Sequence, residues 1–260
     1  NIPKKNIIII KYNNNNKKII NQLFKIQMLK ILFLSLLIIQ SFQFKEDDQK
    51  VKVELYFESL CPGCREFINS QIQITLNTKD LLKILDIELV PYGNAKKDSQ
   101  GNITCQHGEN ECYGNLIENC VLSKLEYPKN IKFVYCIENK IEDNQLDFNK
   151  TLQDCYIELQ IAQQTQGSIQ QCLTSDEGKQ LVIKAGEKTD QLSPKHQFVP
   201  WIIVNGIHND EEQQAAQEDL LIYVCSIYKG TIKIEACDKR FKWFKKYLKN
   251  QSSLELCYDK

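Results

Sequence analysis

The tetrapeptide Cys61-Pro62-Gly63-Cys64 has the clearest chemical potential of any segment in this chain. A CxxC pair serves as a redox dithiol, as half of a zinc site or as two structural cysteines. A zinc site would need a second CxxC or a histidine pair, and the three histidines, His107, His196 and His208, are scattered without i, i+4 spacing. We therefore interpret the pair as a redox dithiol, and we expect no metal and no cofactor.

The sequence around Cys61 predicts which of the two sulfurs is the nucleophile and which is the resolving thiol. Val51–Glu58 alternates and is rich in β-branched and aromatic residues, which predicts a strand, and the apolar positions of Arg65–Thr78 predict a helix that begins near Cys61. Unpaired N–H groups and the positive end of the helix dipole favour a thiolate at that position. We expect Cys61 to be the exposed nucleophile and Cys64, one turn inside the helix, to resolve the mixed disulfide.

A second element of the site is predicted about 140 residues later, at Val199-Pro200. In thioredoxin-like folds a cis proline at the head of a strand lies against the CxxC and presents backbone groups to an extended substrate. An X-Pro bond makes the cis form accessible, and proline cannot donate to a strand ladder. We predict a cis bond and a substrate-binding role for both residues. The alternative is a trans proline that only begins an edge strand.

The elements that must position these residues form an α/β chain. Leu82–Pro91 predicts a second strand, Phe198–Val204 a third strand followed by an Asn205-Gly206 turn, and Glu211–Tyr228 a helix that packs on the sheet. The expected fold is thioredoxin-like with an inserted cysteine-rich helical subdomain: a domain over 45–230 and an insertion over about 95–190. Helices are predicted within the insertion at Glu111–Leu125, Lys132–Asn139, Leu152–Gln164 and Ile169–Ala185, punctuated by Gly, Asn and Pro, Gly167 among them.

The N-terminal 44 residues are predicted to be processing sequence. From Met28 a lysine, a short apolar run and small polar residues follow the pattern of a secretory signal peptide over 28–44, with cleavage between Ser41 and Lys45. A retained signal anchor is the alternative. Residues 1–27 are mostly Ile, Asn and Lys, and we interpret them as an upstream stretch absent from the protein or, alternatively, as a low-complexity arm.

Charge also separates the ends of the chain from its body. Seven of the 33 basic residues and none of the 33 acidic residues lie in 1–44, so the remainder is acidic. An acidic body argues against a nucleic-acid partner, and a hydrophobic content of 42% argues against wholesale disorder. The C-terminal extension, 231–260, contains the basic aromatic stretch Arg240–Lys249. That stretch suggests a solvated helix or a removable extension or, alternatively, contact with a membrane surface or an acidic partner.

One longer string is more specific than the CxxC. Residues 105–120 read CQHG-x2-EC-x2-N-x4-C. Within the same domain, PYGNAK (91–96) precedes this string and FVPWIIVNG (198–206) follows it. Here the chain resembles the gamma-interferon-inducible lysosomal thiol reductase (GILT) family over roughly residues 51–257. Phe198, where tyrosine is more usual, is a departure from the family pattern.

The resemblance implies a soluble thiol reductase that reduces protein disulfides at acid pH in endosomes or lysosomes, or outside the cell. Its partners would be disulfide-bonded protein substrates and a small thiol or other reductant for regeneration. The cysteines outside the CxxC are candidates for structural disulfides: Cys105, Cys112, Cys120, Cys136, Cys155, Cys172, Cys225, Cys237 and Cys257. Because nine is odd, at least one of them stays unpaired or links to another chain, as in a disulfide-linked dimer.

Three further expectations concern individual side chains. His107 of the CQHG string is expected to be a hydrogen-bonded structural residue, and His196, four residues before Pro200, could alternatively lie near the thiolate. Glycosylation acceptors of the N-x-[ST] type are predicted at Asn102, Asn149 and Asn250, in keeping with a secretory compartment.

Two other functions remain open from the residues. A DsbA- or isomerase-like oxidase would use the same fold and dithiol in the opposite direction, because CxxC spacing does not give the reduction potential. A secreted binding protein held together by its cysteines would use none of them for chemistry.

Overall fold

The structure is a computed structural model, and it describes residues 22–31, 33, 49–141, 147–238 and 257–258, the last two by their backbone only. The chain divides into two compact units, 1–48 and 49–260. In the first unit, residues 22–31 and 33 are helical with exposed side chains. Across the described ranges, every helix is too short or too polar to cross a membrane. The predicted cleavage site, the stretch Arg240–Lys249 and Asn250 lie outside the described residues.

A three-stranded sheet forms the centre of the second unit. β1 (Val51–Phe57) lies between β2 (Leu85–Pro91), which is parallel to it, and β6 (Trp201–Val204), which is antiparallel. Val53, Leu55 and Phe57 are fully buried on one face of β1. A central strand is covered on both faces, which is why its apolar content exceeds simple alternation. This arrangement confirms the predicted thioredoxin-like core.

The helical run after β1 begins at Pro62 and ends at Asn77. It consists of α1 (Pro62–Phe67), a π-helical turn (Ile68–Ile72) and α2 (Gln73–Asn77), and a 3₁₀ turn (Leu81–Lys83) follows before β2. Pro62 occupies the first turn, where its missing N–H leaves no helical hydrogen bond unmade. The predicted helix is therefore confirmed in extent, although part of it is wound more loosely.

The predicted helical insertion is present between β2 and β5. A short ladder of β3 (Lys96–Lys97) and β4 (Ile103–Thr104) precedes five helices. These are α3 (Glu109–Lys124), α4 (Lys129–Lys140), α5 (Phe148–Glu158), α6 (Gln163–Leu173) and α7 (Asp176–Asp190). The helix predicted across 152–164 is wrong, because α5 ends at Glu158 and Gln160 takes a positive φ of 51°. The predicted break at Gly167 is also wrong, since this residue lies inside α6.

The third predicted strand is divided by proline. β5 (Phe198–Val199) and β6 are separate because Pro200 has no N–H to give to a ladder. β5 pairs instead with β7 (Cys257–Tyr258) in an antiparallel ladder. The predicted Asn205-Gly206 turn is confirmed by positive φ angles of 49° and 79°. α8 (Asp210–Ile227) follows, with a kink at Asp219.

The core lies on both faces of the sheet. One cluster packs α1, α2 and the insertion against β1 and includes Phe57, Phe67 and Phe133, together with the two cysteines of the CxxC. The other, smaller cluster packs α7 against Tyr56, Tyr92 and Trp201. The CxxC is thus set into the larger cluster at one end of the central strand.

Candidate active site

Cys61 and Cys64 lie where β1 gives way to the helical run. Cys61 is the N-cap of α1, with extended backbone angles (φ −70°, ψ 121°), and its carbonyl accepts a hydrogen bond from Arg65 N at 3.0 Å. Cys64 falls within the first turn of the helix. The N-cap is the position at which the unpaired N–H groups of a first helical turn stabilise a developing thiolate.

Cys64 is a buried thiol. Among the cysteines whose side chains are described, it alone is free. Burial raises the pKa of Cys64 well above its ordinary value, and the negative charges of Glu58, Glu138 and Glu111 raise it further, while a backbone hydrogen bond from Glu58 opposes them. Cys64 is therefore held in its protonated form, which suits a second-acting thiol better than a first-acting one.

Cys61 departs from the sequence-based expectation. We expected an exposed nucleophile, and its side chain is fully buried. It is also disulfide-bonded, and its partner is not Cys64, which is free. The expectation of exposure is wrong because Cys61 packs against Val199 of β5, and β5 is itself paired with β7 in an antiparallel ladder.

The predicted second element of the site, Val199-Pro200, reaches the CxxC through the Val199 carbonyl. The Val199–Pro200 peptide bond is cis, which confirms that prediction. The Cys61 Sγ atom lies 3.7 Å from the Val199 carbonyl oxygen. Gln213 at the start of α8 donates from Nε2 to the Pro200 carbonyl and accepts at Oε1 from Ile202 N, both at 2.9 Å. Sequence reasoning missed Gln213, whose only signal was a polar residue on the buried face of a helix.

The loop that precedes the CxxC is fastened to α3. Asn115 Oδ1 accepts a hydrogen bond from Ser59 N at 3.0 Å, and Ser59 Oγ donates to the Glu111 carbonyl at 3.2 Å. Asn115, Ser59 and Glu111 are all fully buried. Gly114 permits the close approach, because a Cβ there would lie 2.2 Å from Ser59 Oγ. Much of the CQHG string is thus explained by packing against the loop that carries Cys61.

His107 belongs to the same network. Its Nδ1 atom hydrogen-bonds the Glu111 carboxylate and lies 3.5 Å from Glu58 Oε1, and its backbone N donates to Glu111 Oε1 at 3.1 Å. The expectation that His107 is hydrogen-bonded is confirmed. Within the described part of the chain, Glu58, His107 and Glu111 form the group whose ligand atoms come within 4.8 Å of one another as a metal site would require. Each of these side chains is already engaged in hydrogen bonds of the network.

The turn after β2 supports Glu58 from the other side. Asn94 N donates to Glu58 Oε2 at 2.7 Å, and Asn94 Nδ2 donates to Gln106 Oε1 at the same distance. Gly93 has a φ of 59°, and a Cβ there would lie 2.3 Å from Glu58 Oε2. The PYGN sequence therefore gives Glu58 the space and the donor that its buried carboxylate requires.

Two more carboxyl groups are buried behind the CxxC, on α3 and α4. Glu118 and Glu138 have no exposed surface. Burial and the charge of Glu138 raise the pKa of Glu118 well above its ordinary value. Burial raises the pKa of Glu138 to about 8, although Glu118 and the charge of Arg65 oppose that shift.

Eight of the nine remaining cysteines form four bridges: Cys105–Cys112, Cys120–Cys172, Cys136–Cys155 and Cys225–Cys237. Three of them lie within the insertion and one joins α8 to the residues that follow it. For Cys257 the structure describes the backbone alone. His196 lies in the loop before β5, and the acceptors Asn102 and Asn149 are exposed.

Comparisons with known proteins identify the family. Residues 52–159 match the family model described as gamma interferon inducible lysosomal thiol reductase (GILT). A gamma-interferon-inducible lysosomal thiol reductase from Carassius auratus is 47% identical over 195 residues, which cover 74% of each chain. The chain belongs to the GILT family.

Other GILT relatives are more distant. A gamma-interferon-inducible lysosomal thiol reductase from Mus musculus is 36% identical over 190 residues, which cover 72% of this chain and 71% of the relative. A gamma-interferon-responsive lysosomal thiol protein from Arabidopsis thaliana is 34% identical over 187 residues, covering 70% and 72%. The resemblance stated from the CQHG string is therefore confirmed.

Solved structures similar to this GILT chain include BdbD from Bacillus subtilis, with a TM-score of 0.47 and 22% identity over 68% of this chain and 90% of the other. A putative protein disulfide isomerase from Nitrosomonas europaea has a TM-score of 0.44 and 14% identity over 76% and 100%.

Proposed function

We propose that this GILT-family chain reduces disulfide bonds of protein substrates, with Cys61 as nucleophile and Cys64 as resolving thiol. The observation that carries the proposal is the difference between the two sulfurs. One is at the N-cap of the helix against Val199, and the other is a buried thiol whose pKa is raised. Family membership supports the direction of the reaction, since the relatives are named thiol reductases.

The proposed cycle needs a reduced CxxC at its start. The Cys61 thiolate attacks one sulfur of a substrate disulfide, the other substrate sulfur leaves as a thiol, and a Cys61–substrate mixed disulfide forms. Cys64 then loses its proton and attacks Cys61 Sγ, which releases the reduced substrate and leaves a Cys61–Cys64 disulfide. A small thiol or another reductant restores the dithiol.

We further propose that Val199 and Pro200 bind the substrate. β5 presents its edge beside Cys61, and an extended segment added there brings its own half-cystine towards Cys61 Sγ. Gln213 supports this role because it hydrogen-bonds the backbone on both sides of Trp201.

The setting we propose is the acidic endosome or lysosome, or the extracellular space, reached by the secretory route. The names of the relatives support a lysosomal location. A thiol of ordinary pKa, about 8.5, would be ionised in only about one molecule in three thousand at pH ~5, so the N-cap position of Cys61 has to lower its pKa.

The deciding experiment is reduction of insulin disulfides by the full chain at pH 5 in the presence of a small thiol. We expect Cys61→Ser and Cys64→Ser to abolish the catalysed rate while both variants remain folded at the assay temperature. A Cys225→Ser/Cys237→Ser pair, which removes a bridge outside the CQHG string and leaves the CxxC intact, is the matched control and retains activity. Unfolding by Cys61→Ser would instead favour the disulfide-scaffolded binding protein.

A second measurement separates the reductase from a DsbA-like oxidase. The reduction potential of the CxxC, equilibrated against glutathione, should lie nearer the thioredoxin value of about −270 mV than the DsbA value of about −120 mV. A potential near the DsbA value, with oxidation of reduced peptides, would reverse the proposed direction.

The ionisation of Cys61 is tested by alkylation against pH in a Cys64→Ser/Cys257→Ser variant, in which neither resolving nor competing thiol remains. We expect an inflection well below the ordinary value of about 8.5. An inflection at that value would contradict the role assigned to the helix N-terminus.

A further inference from the structure

Three cysteines lie outside the four bridges: Cys61, Cys64 and Cys257. In the described part of the chain Cys64 is a free thiol, whereas Cys61 is disulfide-bonded. The CxxC is therefore divided, with its two sulfurs in different states. The bond that occupies Cys61 requires a sulfur from elsewhere, and every other cysteine with a described side chain is already in a bridge.

The backbone brings the remaining cysteine to the same place. β7 pairs with β5 in an antiparallel ladder whose register sets Cys257 opposite Val199 and Tyr258 opposite Phe198. Val199 is also the residue whose carbonyl oxygen lies 3.7 Å from Cys61 Sγ. Residues opposite one another in such a ladder have Cα atoms about 4.5–5.5 Å apart, so Cys257 is added to the strand edge that Cys61 faces.

We propose that Cys257 is the disulfide partner of Cys61, and that β7 occupies the substrate-binding edge of β5 as a substrate built into the chain. The proposal rests on the proposed function in one respect, that Cys61 is the nucleophile. Its consequence is a latent form of the enzyme, in which the nucleophile is bonded to Cys257 and the edge that binds an extended substrate is already paired.

The complete burial of Cys61 agrees with this proposal. An N-cap cysteine that must attack protein disulfides needs access, yet no surface of Cys61 is exposed. A strand added at β5, with its cysteine bonded to Cys61, accounts for both the burial and the disulfide. Release of β7 would return the access that the catalytic cycle requires.

The bond forms without an outside oxidant. After one round of substrate reduction the enzyme carries a Cys61–Cys64 disulfide. The Cys257 thiolate attacks Cys61 Sγ, the Cys257–Cys61 bond forms, the Cys61–Cys64 bond breaks, and Cys64 leaves with the electron pair and takes up a proton. No electrons enter or leave the protein. The products are a Cys61–Cys257 disulfide and a free Cys64 thiol, which is the state in which the structure holds Cys64.

Activation of the latent form requires either a reductant or attack by the Cys64 thiolate on the Cys61–Cys257 disulfide. Two molecules of a small thiol cleave the Cys61–Cys257 bond, are themselves joined in a disulfide, and leave both protein sulfurs as thiols. Alternatively, the Cys64 thiolate attacks Cys61 and reverses the exchange. Because Cys257 is on the same chain, its effective concentration at Cys61 exceeds that of a free substrate, which favours the latent form when reductant is scarce.

The first test maps disulfides in the full chain, purified without reductant. Free thiols are alkylated under denaturing acid conditions, and the protein is digested and analysed by mass spectrometry. We expect a Cys61 peptide linked to the Cys257 peptide, with Cys64 alkylated. A Cys61–Cys64 linkage with Cys257 alkylated would overturn the proposal, as would a dimer linked through two Cys257 residues on a non-reducing gel.

The second test follows the exchange itself. The full chain is reduced with dithiothreitol, freed of it, given one equivalent of insulin as disulfide substrate, quenched with acid and mapped in the same way. We expect wild type to accumulate Cys61–Cys257, and Cys257→Ser to stop at Cys61–Cys64. The matched control, Ser253→Ala in the same segment, should behave as wild type. Accumulation of Cys61–Cys64 in wild type would contradict the exchange.

The two proposals fail in different ways. If Cys257→Ser still reduces insulin but the resting wild type lacks the Cys61–Cys257 linkage, the latent form is wrong and the reductase stands. If the linkage is found but neither protein reduces insulin after dithiothreitol treatment, the reductase is wrong and the linkage stands. With limiting glutathione, wild type should also show a lag in insulin reduction that Cys257→Ser lacks, and equal lags would count against latency.

Discussion

The helical insertion and the CxxC end of the sheet use the same amino acid for opposite purposes. In the insertion, Cys120–Cys172 joins α3 to α6 and Cys136–Cys155 joins α4 to α5, each with Cα atoms 5.9 Å apart and with all four side chains buried. At the CxxC, Cys64 is equally buried and yet remains a thiol. Burial therefore does not decide which cysteine is structural.

Position along the backbone makes the difference. The bridged pairs of the insertion come from neighbouring helices whose packing fixes the distance between them, so each sulfur has one partner. Cys61 instead lies at an N-cap beside the edge of β5, where a strand can be added or removed. The insertion closes its disulfides on folding, whereas Cys61 at the CxxC can bond to more than one partner.

Removal of the longest bridge of the insertion should have the largest effect on stability. Cys120→Ala/Cys172→Ala opens a link that spans 52 residues, which should cost about 2–5 kcal/mol and lower the melting temperature by roughly 5–15 °C. The measurement is thermal unfolding together with insulin reduction at 25 °C. Activity that survives while stability falls would support the distinction between the structural cysteines of the insertion and those of the CxxC. Loss of activity in proportion to stability would contradict it.

Removal of the hydrogen bond between α3 and the CxxC loop should have a smaller effect that reaches the chemistry. Asn115→Ala leaves the buried Ser59 N–H without its acceptor, at a cost of about 1–3 kcal/mol. We expect a lower melting temperature and slower alkylation of pre-reduced Cys61. Asn115→Asp, which keeps an acceptor oxygen, is the matched variant and should recover part of the rate. Unchanged alkylation in Asn115→Ala would show that α3 does not position the loop.

The buried carboxyl groups predict how stability varies with pH. The pKa of Glu138 is raised from 4.5 to about 8 in the folded chain. As pH rises from about 4.5 to about 8 the unfolded chain releases this proton before the folded chain does, so stability falls over that range and is greatest at acid pH. Melting temperatures measured from pH 4.5 to 8 should therefore decline by several degrees.

Glu138→Gln replaces the ionisable carboxyl group with a neutral amide. The melting temperature should then fall less as pH rises, and it should exceed that of the wild type near pH 7.5. Glu118→Gln is the matched neighbour, and its pKa is also raised. A wild-type slope retained in both variants would mean that other groups set the pH dependence.

A surface ion pair of the insertion should have the smallest effect. Lys150 and Asp154 are exposed on α5, with Nζ and Oδ2 3.1 Å apart at i, i+4 spacing. Lys150→Ala should change the free energy of unfolding by at most about 0.5 kcal/mol, measured by urea denaturation. A change as large as that of an opened bridge would contradict the view that bridges and core hold the insertion together.

Sequence patterns predicted the elements that carry the chemistry better than those that surround it. The central strand, the helix start beside the CxxC and the turn at Asn205 are as predicted, because local preference and tertiary packing agree there. The boundary between α5 and α6 was missed, because Gln160 adopts a left-handed conformation and glycine, the residue that usually indicates this conformation in a sequence, is not found there. The buried contacts of Asn115 and Gln213 were also missed, because hydrogen bonds between distant segments leave no local pattern.

The sequence by itself determined the family, and it predicted the CxxC as the redox pair and a cis bond at Pro200, because each depends on residues close together in the chain or on a long specific string. Tertiary structure decided which cysteines are bridged and why Cys61 is buried rather than exposed. The physical reason is that a disulfide requires two Cα atoms within about 7 Å, and only the packing of helices and the pairing of β5 with β7 bring such residues together.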